Sequence, residues 1–126
     1  MKQGFNIVIG GTDFQPDAVD YGTQNLPDHI VHKGDRLSNG GISDGSFAEW
    51  ACDSDEIQGL DIVFEAVDFL MIFKEQFALI AASPGVEFRN VNIWLDGSQI
   101  IMLEPDQMNF LANLGMSVDI CVLSGD

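Results

Sequence analysis

The chain has 126 residues, 46% of them hydrophobic, with 20 Asp and Glu against 5 Lys and Arg and a formal net charge of −15. That length fits one domain, 1–126, with a core of its own, and the apolar share argues for a folded rather than a disordered chain. The charge excludes nucleic acid, whose binding runs through Lys and Arg, and adhesion to anionic membrane surfaces; it either attracts a basic partner or serves solubility alone.

Residues 5–9, FNIVI, alternate, with Phe5, Ile7 and Ile9 on one face, which predicts a half-buried strand ended by Gly10 and Gly11. Pro16 suits a first helical position and Asp17 the positive end of a helix dipole, so a helix of about three turns is expected near 16–24. Pro27 stops it. HIVHKGD, 29–35, reads as a strand running into a Gly34-Asp35 turn. SNGGISDGS, 38–46, is a flexible loop, and FAEWAC, 47–52, a strand with Ala48, Trp50 and Cys52 on one side. Ile62, Ala66, Phe69, Phe73, Phe77 and Ile80 step by three or four, predicting a long helix that ends at Ser83-Pro84-Gly85, with room for a break near Lys74.

VEFRNVNIWLDGSQIIML, 86–103, reads as a hairpin around Asp96-Gly97, with a bulge at Asn90 where the alternation slips. Pro105 and Gly115 bracket a helix with Met108, Leu111 and Ala112 as its buried face. SVDICVL, 117–123, closes as a strand with Val118, Ile120 and Val122 facing in. The order β-α-β-β-α-β-β-α-β predicts an α+β domain: an antiparallel or mixed sheet with about three helices packed on one face.

Both histidines and two of the five cations fall within HIVHKGDR, 29–36. Residues three apart on a strand point to opposite faces, so His29 and His32 converge on a metal only if the segment turns, and no second ligand cluster completes a zinc site. No metal or cofactor is expected. Asp53, Asp55 and Glu56 fail the calcium-loop spacing, with Ile57 and Gln58 at the fifth and sixth positions. They read as a solvated cluster before the long helix. Cys52 and Cys121 lie in apolar runs and read as core thiols. Two thiols and an N-terminus unlike a secretory signal suggest a reducing cytoplasm. Trp50 and Trp94 serve either as interface anchors or as core.

An ordered set of landmarks resembles the DUF4279 family, a bacterial family of unknown function. Gly11-Thr12-Asp13-Phe14-Gln15-Pro16 is similar to its G-x-D-F-x-P entry, and Lys33-Gly34-Asp35 after Pro27 to its P…KGD turn. Trp50 ends the third strand, and Leu111 to Gly115 matches a LxxLG helix end. The resemblance spans nearly the whole chain. It implies a compact α+β domain and brings no catalytic residues.

Without a nucleophile–base pair, a phosphate loop or a metal cluster, the sequence points away from an enzyme and toward a non-catalytic protein-binding module. An acidic immunity-type protein that neutralises a basic toxin domain fits best. Asp53, Asp55, Glu56, Asp61, Glu65 and Asp68 are its candidate partner-binding residues. The alternative is a small-ligand or regulatory domain in which His29, His32, Lys33 and Arg36 seat an anion.

Overall fold

A computed structural model describes residues 3–54, 59–96 and 102–123. Its elements are strands β1 (Gln3–Gly11), β2 (His29–Val31), β3 (Ser46–Ser54), β4 (Phe88–Asp96) and β5 (Ser117–Leu123), and helices α1 (Gly59–Ile72), α2 (Lys74–Ala81) and α3 (Pro105–Asn113). The strands form one mixed sheet in the order β2-β3-β1-β4-β5, with β4 and β5 parallel and the other pairs antiparallel. This is the α+β architecture that the element order implies.

Strand β1 is central because it is apolar enough to be covered. Phe5, Ile7 and Ile9 point to the helices and are buried with Ala48 and Trp50 of β3 and Val91, Ile93 and Leu95 of β4. Against them pack Ile62, Val63, Ala66, Val67 and Leu70 of α1, Phe77 and Ile80 of α2, and Leu111 of α3. The helical core residues therefore all share one face of the sheet. Two glycines end β1 for steric reasons. A Cβ on Gly10 would stand 2.3 Å from the Ser46 carbonyl oxygen, and one on Gly11 2.0 Å from that of Gly85.

Trp50 is the centre of the core. Its ring meets Phe77 edge-on at 5.0 Å between centroids and Tyr21 at 6.0 Å. Its Nε1 donates to the Asn25 carbonyl at 3.1 Å, so the indole's polar atom is satisfied inside. The predicted long helix is two: Phe73 leaves helical geometry at φ −108°, ψ 28° and separates α1 from α2. The rings of Phe73 and Phe77 still meet that of Phe69 at tilted angles across the break.

Several expectations give way to tertiary context. The helix predicted near 16–24 is only a 3₁₀ turn, Pro16–Ala18. Asp20 turns its carboxylate back to the Gly22 N–H, Gly22 takes a positive φ, and Gln76 claims the Tyr21 and Asn25 carbonyls. These contacts satisfy the backbone without a helix. No bulge occurs at Asn90: the β1–β4 register runs unbroken from Gly4↔Trp94 to Gly10↔Phe88. The alternation slips because Arg89 occupies an inward position, from which Nε and Nη2 donate to the Ala81 carbonyl at 3.2 and 3.1 Å. A cation there completes the negative end of α2.

The return strand of the expected hairpin falls mostly on 97–101, outside the described residues; β4 itself is flanked by β1 and β5. Helix α3 starts with a capping box between Glu104 and Gln107 behind Pro105. It ends in a Schellman turn, Met116 N–H to Leu111 O and Gly115 N–H to Ala112 O, with Gly115 at φ 71°. Leu111 is its buried residue, helped by Phe110 and Leu114, while Met108 and Ala112 are exposed. In β5, Val118 packs on the core but Ile120 and Val122 remain exposed, because the strand is an edge. Cys52 packs against the core; Cys121 is exposed on β5 rather than buried. No helix among the described residues is long and apolar enough to cross a membrane.

Candidate functional site

The residues of 29–36 spread over strand β2, one turn and a single bridge residue, Arg36. His29 ends up opposite Glu49 of β3 on the outer side of the sheet. A tight turn, closed by the Asp35 N–H to the His32 carbonyl, swings His32 away. Its Nε2 lies 2.7 Å from Asp17 Oδ2, and its Nδ1 3.6 Å from Asp35 Oδ2. The hydrogen bond and charge of Asp17, with a smaller part from Asp35, raise the His32 pKa above its ordinary 6.5. The Lys33 N–H donates to Ser46 Oγ, and Arg36 bridges backbone to backbone with Ile42. His32 thus has acidic neighbours. Among the described residues no group of three His, Cys, Asp or Glu side chains is placed to hold a metal ion.

Of the acidic candidates, Asp55 and Glu56 lie outside the described residues. Asp53 belongs to β3, where its backbone pairs with Gly4 of β1, and Asp61 to the first turn of α1. Glu65 and Asp68 lie on the side of α1 turned away from the sheet. They are not alone there. Phe64, Met71 and Ile72 are 59, 49 and 65% exposed. At 100° per residue, 64, 65, 68, 71 and 72 fall within a third of the helix circumference, opposite the buried Ile62, Ala66 and Leu70. The outward face is therefore a mixed surface of large apolar side chains and carboxylates. Reading only the buried stripe misses it; the projection of Phe64, Met71 and Ile72 onto the side of Glu65 and Asp68 is the signal that finds it.

A cleft of about 430 Å³ opens between residues 20–25 and α2, lined by Tyr21, Asn25, Phe73, Glu75 and Gln76 among others. Its amides already satisfy one another. Gln76 Nε2 donates to the Tyr21 and Asn25 carbonyls, and its Oε1 accepts from Asn25 Nδ2 at 3.1 Å. Tyr21 donates its hydroxyl proton to the Pro16 carbonyl at 2.8 Å. Burial, helped by the charge of Asp17, pushes its pKa up from 10.0 to about 12. These contacts clamp the 16–25 segment to α2.

The fold and these surfaces define a small α+β domain with a mixed five-stranded sheet and helices on one face. Comparison with family models, with curated proteins and with solved structures returns no match.

Proposed function

We infer that the protein is a non-catalytic binding module that captures a basic protein domain through the outward face of α1, as an acidic immunity protein captures the toxin domain it neutralises. One observation carries this reading: Phe64, Met71 and Ile72 stand exposed on the same third of α1 as Glu65 and Asp68. Interfaces draw their energy from a few large apolar anchors that exclude water, and their specificity from charge around them. A net charge of −15 steers a cationic partner to the encounter.

The test is capture from the producing cell by the immobilised full chain, with bound proteins identified by mass spectrometry. A basic protein is expected to bind at low salt and elute as salt rises. Phe64→Ser with Ile72→Ser, and separately Glu65→Lys with Asp68→Lys, should each abolish capture. The reading fails if no basic protein is retained, or if retention is indifferent to both double substitutions.

A further inference from the structure

The face of the sheet opposite the helices carries a second pattern. On β4 the residues alternating with inward Val91, Ile93 and Leu95 are Phe88, Asn90, Asn92 and Trp94, all partly exposed. An aromatic, two amides and an aromatic thus follow one another at every second position of a single strand. Asn92 Nδ2 donates to Asn6 Oδ1 of β1 at 2.8 Å, and Asn6 Nδ2 donates to Glu49 Oε2 of β3 at 2.6 Å. Three strands so contribute one polar chain that fixes the orientation of its amides.

This composition is not what a sheet needs for stability. Asn is depleted in strands, yet β1 and its neighbour β4 place three of them on one face. The register sets Gly4 opposite Trp94 and Gly10 opposite Phe88, so no β1 side chain stands between either ring and the sheet. Phe88 and Trp94 are six residues apart, roughly 20 Å along a strand. No Lys or Arg of the described strands points to this face, since Arg89 is turned inward. Polyanions therefore find no counter-charge there.

Aromatic rings without Lys or Arg, spaced by planar amides and flanked by the carboxylates of Glu49 and Asp119 and by the imidazole of His29, match a ligand with alternating C–H surfaces and hydroxyls. Rings stack on the C–H faces, while amide and carboxylate groups exchange hydrogen bonds with the hydroxyls. We propose that the open face of the sheet binds a neutral polysaccharide chain lying along β4. Phe88 and Trp94 stack on sugar rings at its two ends, and Asn90, Asn92, Asn6 and Glu49 bond the hydroxyls between. The span calls for several sugar residues at once.

The experiment is native affinity electrophoresis of the full chain in gels containing hydroxyethylcellulose, mannan, xyloglucan or dextran, with thermal unfolding as a check on each variant. The chain should be retarded by at least one of them. Trp94→Ala and Asn92→Ala should each restore free mobility, while Phe64→Ser with Ile72→Ser should not, which separates this site from the α1 face. A hexasaccharide of the retarding sugar should release the protein at concentrations at which its disaccharide does not. Should Trp94→Ala fail to fold, Asn90→Ala and Asn92→Ala take its place. Unchanged mobility in all four gels overturns the proposal, as does retardation that survives the substitutions or that the disaccharide relieves equally well.

Discussion

The ring of His32 lies 2.7 Å from the carboxylate of Asp17, joining the 3₁₀ turn after β1 to the turn after β2. Asp17 also raises the pKa of Tyr21, so one carboxylate influences two titrating groups on neighbouring segments.

The His32 pKa should therefore be measured above 6.5 by NMR titration of the ring, and Asp17→Asn should bring it down more than Asp35→Asn does. The sign follows from linkage. The folded pKa is raised, so the contribution to stability is complete below the unfolded value near 6.5 and is lost as pH rises through the folded one. Both partners are largely exposed, so the change in stability is small and sensitive to salt. A His32 pKa at or below the ordinary value contradicts the pairing.

Tyr21 is the single tyrosine, so an absorbance titration of the phenolate reads it directly. It should ionise near pH 12. Asp17→Asn should lower that value only in part, because burial is the larger cause. Ionisation near 10 would mean that Tyr21 does not pack against Trp50 as described.

Gly10→Ala should destabilise the fold by about 1–3 kcal/mol, in the range of overpacking, as read from chemical denaturation. The new Cβ would meet the Ser46 carbonyl and the Phe47 backbone, neither of which can yield without moving β3. Gly22→Ala meets no neighbouring atom and carries only the strain of a positive φ. The larger loss is expected at Gly10; equal losses would refute the steric account.

Gln76→Leu removes three hydrogen bonds between α2 and the 21–25 segment. The Tyr21 carbonyl loses its partner while partly buried, at a cost of about 1–3 kcal/mol. Hydrogen exchange should show amides of 21–25 opening faster while those of β1 and β4 stay protected. Uniform acceleration across the sheet would instead place Gln76 in the global core.

How much of this was legible follows from where the information resides. The inward face of β1, the apolar stripe from Ile62 to Ile80 and the Pro105–Gly115 bracket are local periodicities and end signals, and the structure keeps them. The short turn at 16–18 was hidden because Gln76, far along the chain, supplies the hydrogen bonds that make a helix unnecessary. Arg89 looked like a slip of register because its target, the Ala81 carbonyl, exists only once α2 has formed. The exposure of Ile120 and Val122 depends on β5 being an edge, a matter of strand order that alternation does not contain. For the α1 face, Glu65 and Asp68 were legible as charges, whereas their apolar company emerges only when the buried side of the helix is known.

Of the five described strands, the earliest in the chain lies in the middle of the sheet. Ile7 must meet both Trp50 and Val91, so neither edge of β1 can be closed until much of the chain has left the ribosome. Until then its apolar FNIVI run waits as an unpaired strand, the kind of segment most exposed to wrong pairings during synthesis. The delay falls on assembly rather than on the finished molecule. Substitutions in β4 should therefore trouble the yield of newly made protein more than their effect on final stability suggests.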